Sequence, residues 1–201
     1  MLETLVVLDF ETTGLRPDYG DRITEVAALR LQRGVVTARY ESLVNCHRRL
    51  PNHIRAFTGI HQTMVDNAPE PQRVFPELLE FIGESPVVSH NAAFDQGFLD
   101  CECERLNLPR GGEDFICTVQ LARRLLPNLP SHSLNAMARY FKLGATTEHR
   151  AGVDAETTLQ VLLRLCTMAE QIGGQPVSIS TLRFLAAPPT ASGDVPTAKI
   201  A

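Results

Sequence analysis

The sequence predicts an α/β fold, a mixed five-stranded sheet flanked by helices. Three observations carry that reading. A continuous apolar run, Leu5-Val6-Val7-Leu8, ends at Asp9; short runs of this kind suit a strand buried on both faces. Two longer strand-like stretches follow, 23–31 and 35–44, joined through Gln32-Arg33-Gly34 as a hairpin. From residue 71 onward, helical stripes alternate with short apolar runs, the pattern of strands linked by helices.

Gly14 allows a turn after the first strand, and residues 51–66 read as short helical turns and loop. Residues 71–82 set Val74, Phe75, Leu78, Leu79 and Ile82 at helical spacing, closed by Gly83. Residues 87–89 form a short strand. Asn91 suits the N-cap of a helix through about Leu106, stopped before Pro109. Residues 115–117 are the fifth strand, with a helix over 119–126 behind it. Ser131 or Ser133 caps a helix through Phe141, and residues 152–169 form a long helix ended by Gly173-Gly174. One domain over 1–172 is therefore expected, with a tail over 173–201. The tail holds Pro176, Pro188, Pro189 and Pro196 and little charge, so it reads as partly extended or disordered, with strand character over 177–185.

The chain has 201 residues, 44% of them hydrophobic, enough for one domain with a real core. No apolar run reaches the ~18 residues of a membrane span. Residues 1–10 carry Glu3 and Asp9 without a basic segment or cleavage site, so no signal peptide is expected and the location reads as cytoplasmic. The five cysteines are odd in number and lack a C-x-x-C, against a disulfide framework or zinc cluster. Net charge is −4, so this is no basic nucleic-acid binder of the usual kind.

Chemistry concentrates in three motifs: D-F-E-T-T-G at 9–14, H-N-A-A-F-D at 90–95 and H-R-A-G-V-D at 149–154. Asp9 and Glu11 stand two apart at a strand end, so both carboxylates share a face. Asp95 falls in the first turn of the helix that Asn91 caps, where the dipole favours its ionised form. His149 and Asp154 are five apart and would lie about 140° apart around one helix. Asp154 therefore belongs to the last helix and His149 to the loop before it. His90 reads as structural. Gathered carboxylates repel and raise one another's pKa. A fold that collects Asp9, Glu11, Asp95 and Asp154 needs a cation, and the natural choice is a pair of hard divalent metals bound through oxygen. The turn at Thr12-Thr13-Gly14 offers backbone N–H groups and a close-approach glycine beside a phosphate or nucleotide.

This ordered trio resembles the DEDD-type 3′-to-5′ exonucleases, of the subclass with a histidine in the third motif. It is most similar to the proofreading exonuclease domain of bacterial replicative polymerases, the epsilon type of DNA polymerase III. The likeness covers about residues 4–169 and implies a ribonuclease-H-like fold. It implies that Asp9, Glu11 and Asp154 hold one Mg²⁺ or Mn²⁺ ion, that Asp9 and Asp95 hold a second, and that His149 is the general base. Thr12, Thr13, Gly14 and Leu15 would line the terminal nucleotide. Phe57 and Thr58 would wedge against the last bases, and Asn91 and Phe94 would flank the pocket. The implied substrate is a single-stranded 3′ end, with a DNA polymerase subunit as a partner that the tail would dock.

The chemistry agrees with that assignment on its own grounds. In-line attack on a phosphodiester builds charge on the entering and departing oxygens, which two metals ~4 Å apart stabilise. A histidine's ordinary pKa of about 6.5 lets it take a proton from water near neutrality. No Walker loop is present, and the lysines are only Lys142 and Lys199. Arg150 is open to two readings, contact with phosphate or anchorage of its loop. Three functions follow from different classes: a DNA-trimming exonuclease, an exoribonuclease acting on short RNA or RNA ends, and a non-catalytic binding module. The pocket around Leu15, Phe57 and Thr58 decides between the first two, through room for a 2′-OH. The intact acids and His149 argue against the third.

Overall fold

Strand β1 (Thr4–Thr12) runs through the middle of the sheet, as its unbroken apolar run requires. The computed structural model describes residues 4–109, 115–144 and 149–187. β2 (Ile23–Gln32) pairs antiparallel with β1, and β3 (Val35–Leu43) pairs antiparallel with β2. On the other side of β1, β4 (Val87–Ser89) and then β5 (Phe115–Cys117) run parallel to it. The order is β3-β2-β1-β4-β5, the expected five-stranded mixed sheet. Arg33 and Gly34 both take positive φ in the hairpin turn, 53° and 80°, as a tight connection between twisted strands demands.

Side-chain alternation divides the core into two layers. Leu5 and Val7 face one side with Ala27, Leu29 and Leu31 of β2. That side is covered by α5 (Thr118–Leu125), α6 (Leu134–Phe141) and α7 (Ala151–Gly173). Val6, Leu8 and Phe10 face the other side, against α3 (Pro71–Ile82) and α4 (Ala92–Leu106). Phe75 and Phe98 are fully buried there, each contributing roughly 1.5–3 kcal/mol by removal from water. Ser133 caps α6, its hydroxyl accepting from the Ala136 N–H at 3.3 Å, a contact worth about 1 kcal/mol. Asn91 stands at the start of α4 as expected, but it enters the helix through the left-handed region, φ 65°, without a side-chain cap. Asn can bear that conformation because its short side chain bonds locally.

A small third cluster, Cys46, Leu50, Ile60 and Val65, roots α1 (Asn52–Thr58) and α2 (Gln62–Asp66) beside the sheet. These are the short helical turns expected over 51–66.

The tail departs from expectation. Residues 177–185 do not form a strand. Ser178 opens a helix, α8 (Ile179–Ala186), and its hydroxyl accepts from the Thr181 N–H at 3.1 Å. Val177 and Leu182 are buried in the core layer that holds α7. The apolar spacing 179, 182, 185, 186 suits one face of a helix, and burial of that face decides against an extended chain. Pro188, Pro189, Pro196 and Lys199 lie outside the described residues, as does the rest of the expected tail beyond 187. Among the described residues, no helix is long and apolar enough to cross a membrane.

Candidate active site

The two-layer division explains how the acids meet. Asp9 and Glu11 continue the odd-numbered face of β1, the face that α7 covers. Asp154 lies in the first turn of α7. One carboxylate oxygen from each of Asp9, Glu11 and Asp154 lies within 4.8 Å of the others. Asp95 arrives from the opposite layer, in the first turn of α4. It is 2% exposed, with the backbone N–H groups of Asp95 itself and of Phe10 favouring its charged form. Asp9, Glu11, Asp95 and Asp154 all border one cleft of about 220 Å³ at the end of β1. That is below the roughly 300–1,000 Å³ of a drug-sized pocket.

The electrostatics are those of a site short of positive charge. Burial pushes Asp9 well above the usual carboxylate range, and repulsion from Asp95, Asp154, Glu11 and Glu25 pushes it further. Burial and then Asp154 and Glu25 push Glu11 up to about 8. Asp95 is also raised well above the ordinary value, by burial first and by Glu11; the backbone N–H groups of Asp95 and Phe10 only partly offset this. Asp154 is raised by burial and moderated by His149, whose Nδ1 lies 3.6 Å from its Oδ2. The His149 ring stacks on Phe57, centroids 3.7 Å apart and planes 15° apart.

Thr12, Gly14, Leu15, Phe57, Thr58 and Phe94 line the cleft. Leu15 and Phe57 are 77% and 55% exposed. Thr13 is turned elsewhere. Its hydroxyl donates to Asp21 at 3.1 Å and accepts from the Arg22 N–H at 3.0 Å. A Cβ at Gly14 would sit 2.3 Å from the Asp21 carboxylate, so a side chain there would displace Asp21. Asn91 borders a neighbouring groove with Arg123 and His132 rather than the cleft itself. His90 touches both spaces and is structural, as expected. Its ring bonds Thr118 at 2.8 Å and the His132 carbonyl at 3.0 Å, and burial lowers its pKa to about 4. A second, apolar groove between α5, the end of α7 and α8 carries no ionisable lining residue and stands apart from the acids.

One residue of the site was not foreseen. Glu25 stands on β2 directly across from Glu11. Like charges so placed repel, and a cation offsets them here: Arg150 donates to Glu25 from Nε at 3.1 and 3.0 Å and through Nη2. The Ala151 N–H at the start of α7 also donates to Glu25, at 3.0 Å. Arg150 therefore anchors the third motif to the sheet. Glu25→Gln is expected to lower turnover roughly 10- to 100-fold, the usual effect of losing a group that orients site ligands. In a double-mutant cycle with Arg150→Gln the losses should fall well short of additive. Full additivity in the measured kcat would contradict the anchor.

A linkage prediction follows from the raised acids. An unfolded glutamate titrates near about 4.3, whereas Glu11 in the fold titrates near about 8. Between those values the folded protein binds more protons than the unfolded chain, so stability falls as pH rises. Thermal unfolding of metal-free protein should show a lower Tm at pH 8.5 than at pH 5.5. Added Mn²⁺ should raise Tm more at the higher pH, by occupying the deprotonated acids. A metal-free Tm that climbs across this window would contradict the clustered acids.

Residues 6–162 match the family described as Exonuclease (RNase_T). The PolC-type DNA polymerase III of Bacillus cereus is 38% identical over 163 residues, which is 81% of this chain and 11% of the polymerase. Its counterpart in Oceanobacillus iheyensis is 39% identical over 163 residues, again 81% and 11%. The chain thus spans 11% of the length of these curated relatives. Exonuclease X in complex with 5′-overhanging duplex DNA matches with a TM-score of 0.70 at 26% identity, over 93% of this chain and 100% of that one. E. coli exonuclease I in complex with a dT13 oligonucleotide shares the fold, with a TM-score of 0.73 at 16% identity over 85% and 42% of the two chains. The architecture is the ribonuclease-H-like one of these exonucleases. A matching family over most of the chain, on this fold and with these acids at one cleft, leaves one conclusion: the chain belongs to the Exonuclease family.

Proposed function

We propose that the chain is a metal-dependent 3′-to-5′ exonuclease that hydrolyses phosphodiester bonds at the 3′ ends of DNA and releases nucleoside monophosphates, in proofreading or repair. The observation that carries this is the meeting of four carboxylates and a histidine, from three distant segments, around one cleft.

The residues fit divalent cations. Their donors are oxygens only, three of them within 4.8 Å of one another, and hard ions such as Mg²⁺ or Mn²⁺ take such donors. The raised carboxylates supply the demand for positive charge. Asp9, Glu11 and Asp154 would hold one ion, and Asp9 with Asp95 a second. Bound there, the ions supply Lewis-acid stabilisation of charge on the entering and departing oxygens. The chain's own residues do the rest. His149 turns Nδ1 toward Asp154, so Nε2 is the nitrogen that would accept a proton from the attacking water. The acidic partner stabilises the imidazolium that results. Leu15 and Phe57 offer apolar faces to the terminal base, with Thr12, Gly14, Thr58 and Phe94 around it. Thr13 holds the turn through Asp21, and Asn91 borders the groove beside the cleft.

DNA is favoured over RNA by the company the sequence keeps. The relatives named above are DNA polymerases, and exonuclease X, at 26% identity, was solved on duplex DNA. A polymerase subunit is the partner these relatives suggest. The test is one assay with end-labelled single-stranded DNA and RNA of equal sequence, in Mg²⁺, Mn²⁺ or chelator. Stepwise shortening of DNA from the 3′ end, lost in chelator, is expected. Preferential shortening of RNA would move the reading to an exoribonuclease, and no metal-dependent shortening would favour a binding module.

A further inference from the structure

His149 stands in a segment without regular structure, one residue before Arg150 opens α7. Two contacts fix its ring. Asp154 lies 3.6 Å from Nδ1, and Phe57 covers one ring face with near-parallel planes. The first contact sets which edge points at the acids. The second sets the plane. Phe57 is itself held: α1 ends on Gly59 in the left-handed region at φ 70°, where only glycine sits without strain. The neighbouring Thr58 hydroxyl donates to the Ile54 carbonyl at 2.9 Å and accepts from the Ile60 N–H at 3.1 Å. A half-exposed aromatic ring on a pinned helix end thus backs the histidine that faces Asp154.

We propose that Phe57 is a positioning residue for His149, setting the plane of the imidazole over Asp154, beyond its place at the wall of the cleft. The consequence for turnover rests on the exonuclease reading above; the stack itself does not. A planar ring has two faces. The imidazole occupies one of them, and a nucleobase stacking on Phe57 would take the other. Seating of the terminal nucleotide and placement of the proton acceptor then depend on the same side chain.

The test separates this from a wedge role. The p-nitrophenyl ester of thymidine 5′-monophosphate has no second base to be wedged. Phe57→Leu keeps apolar bulk but not a stacking plane. Since Phe57 is 55% exposed, the substitution leaves the core untouched. On this ester with Mn²⁺, Phe57→Leu is expected to lower kcat roughly two- to tenfold and to raise KM as well, because the thymine loses its stacking face, and Phe57→Tyr to recover most of both. Proton NMR of the metal-free protein at one fixed alkaline pH gives a readout apart from activity. The His149 ring protons should be shifted upfield by the facing ring in the wild type and in Phe57→Tyr, and should lose that shift in Phe57→Leu. Unmoved His149 signals in Phe57→Leu, or an unchanged kcat on the ester with a loss confined to DNA, would overturn the positioning role. A wild-type protein inactive on both ester and DNA would instead overturn the exonuclease reading, and with it the catalytic consequence of the stack.

Discussion

Asp9→Ala is expected to abolish hydrolysis while leaving the fold intact, and to make the metal-free protein more heat-stable than the wild type. Asp9 is the one acid that the proposed arrangement assigns to both ions. Its loss removes several kcal/mol of charge stabilisation in the transition state, about 10³-fold or more in rate. The stability change has the opposite sign because the same carboxylate is repelled by Asp95, Asp154, Glu11 and Glu25. Alanine ends that repulsion and the burial of a reluctant charge. Above pH 8, the metal-free variant should melt later than the wild type, and added Mn²⁺ should narrow or reverse the difference by stabilising the wild type more. An Asp9→Ala protein with near-normal turnover, or one that melts earlier without metal, would contradict the shared-ion role.

The second large effect belongs to His149. His149→Ala is expected to cost on the order of 10²–10⁴-fold in kcat, the usual worth of a placed general base. Only a neutral imidazole accepts a proton, so the wild-type rate should rise with pH to a plateau. The variant should lose that rising limb while its metal-dependent gain in Tm persists, because the oxygen donors remain. An unchanged pH–rate profile would refute the assignment.

Much of this site was legible in the sequence because it rests on local rules. Alternation along β1 puts Asp9 and Glu11 on one face. The five-residue gap between His149 and Asp154 separates loop from helix, and α7 begins between them. What the sequence hides is which layer each helix joins. Asp95 comes from the α4 side and the other acids from the α7 side, so their meeting at the strand end depends on the assembled sheet. Glu25 was hidden for a related reason. Its anchor partner Arg150 is 125 residues away, and the strand around it otherwise reads as apolar. The one signal was the charge itself, a glutamate between Thr24 and Val26 in a strand that the topology buries. Thr13 turns its hydroxyl to Asp21, whose place depends on how the turn closes, whereas Gly14 borders the cleft. In α8 the prolines drew attention from the Ser178 cap and the helical spacing behind it.

In the proposed mechanism, acids from three distant segments hold the same divalent ions. Anomalous diffraction from crystals of the wild-type protein soaked in Mn²⁺ measures this most directly. Two manganese peaks are expected in the cleft, one touching Asp9, Glu11 and Asp154 and one touching Asp9 and Asp95. Manganese bound elsewhere, or a cleft that stays empty at saturating Mn²⁺ and pH 8, would contradict it.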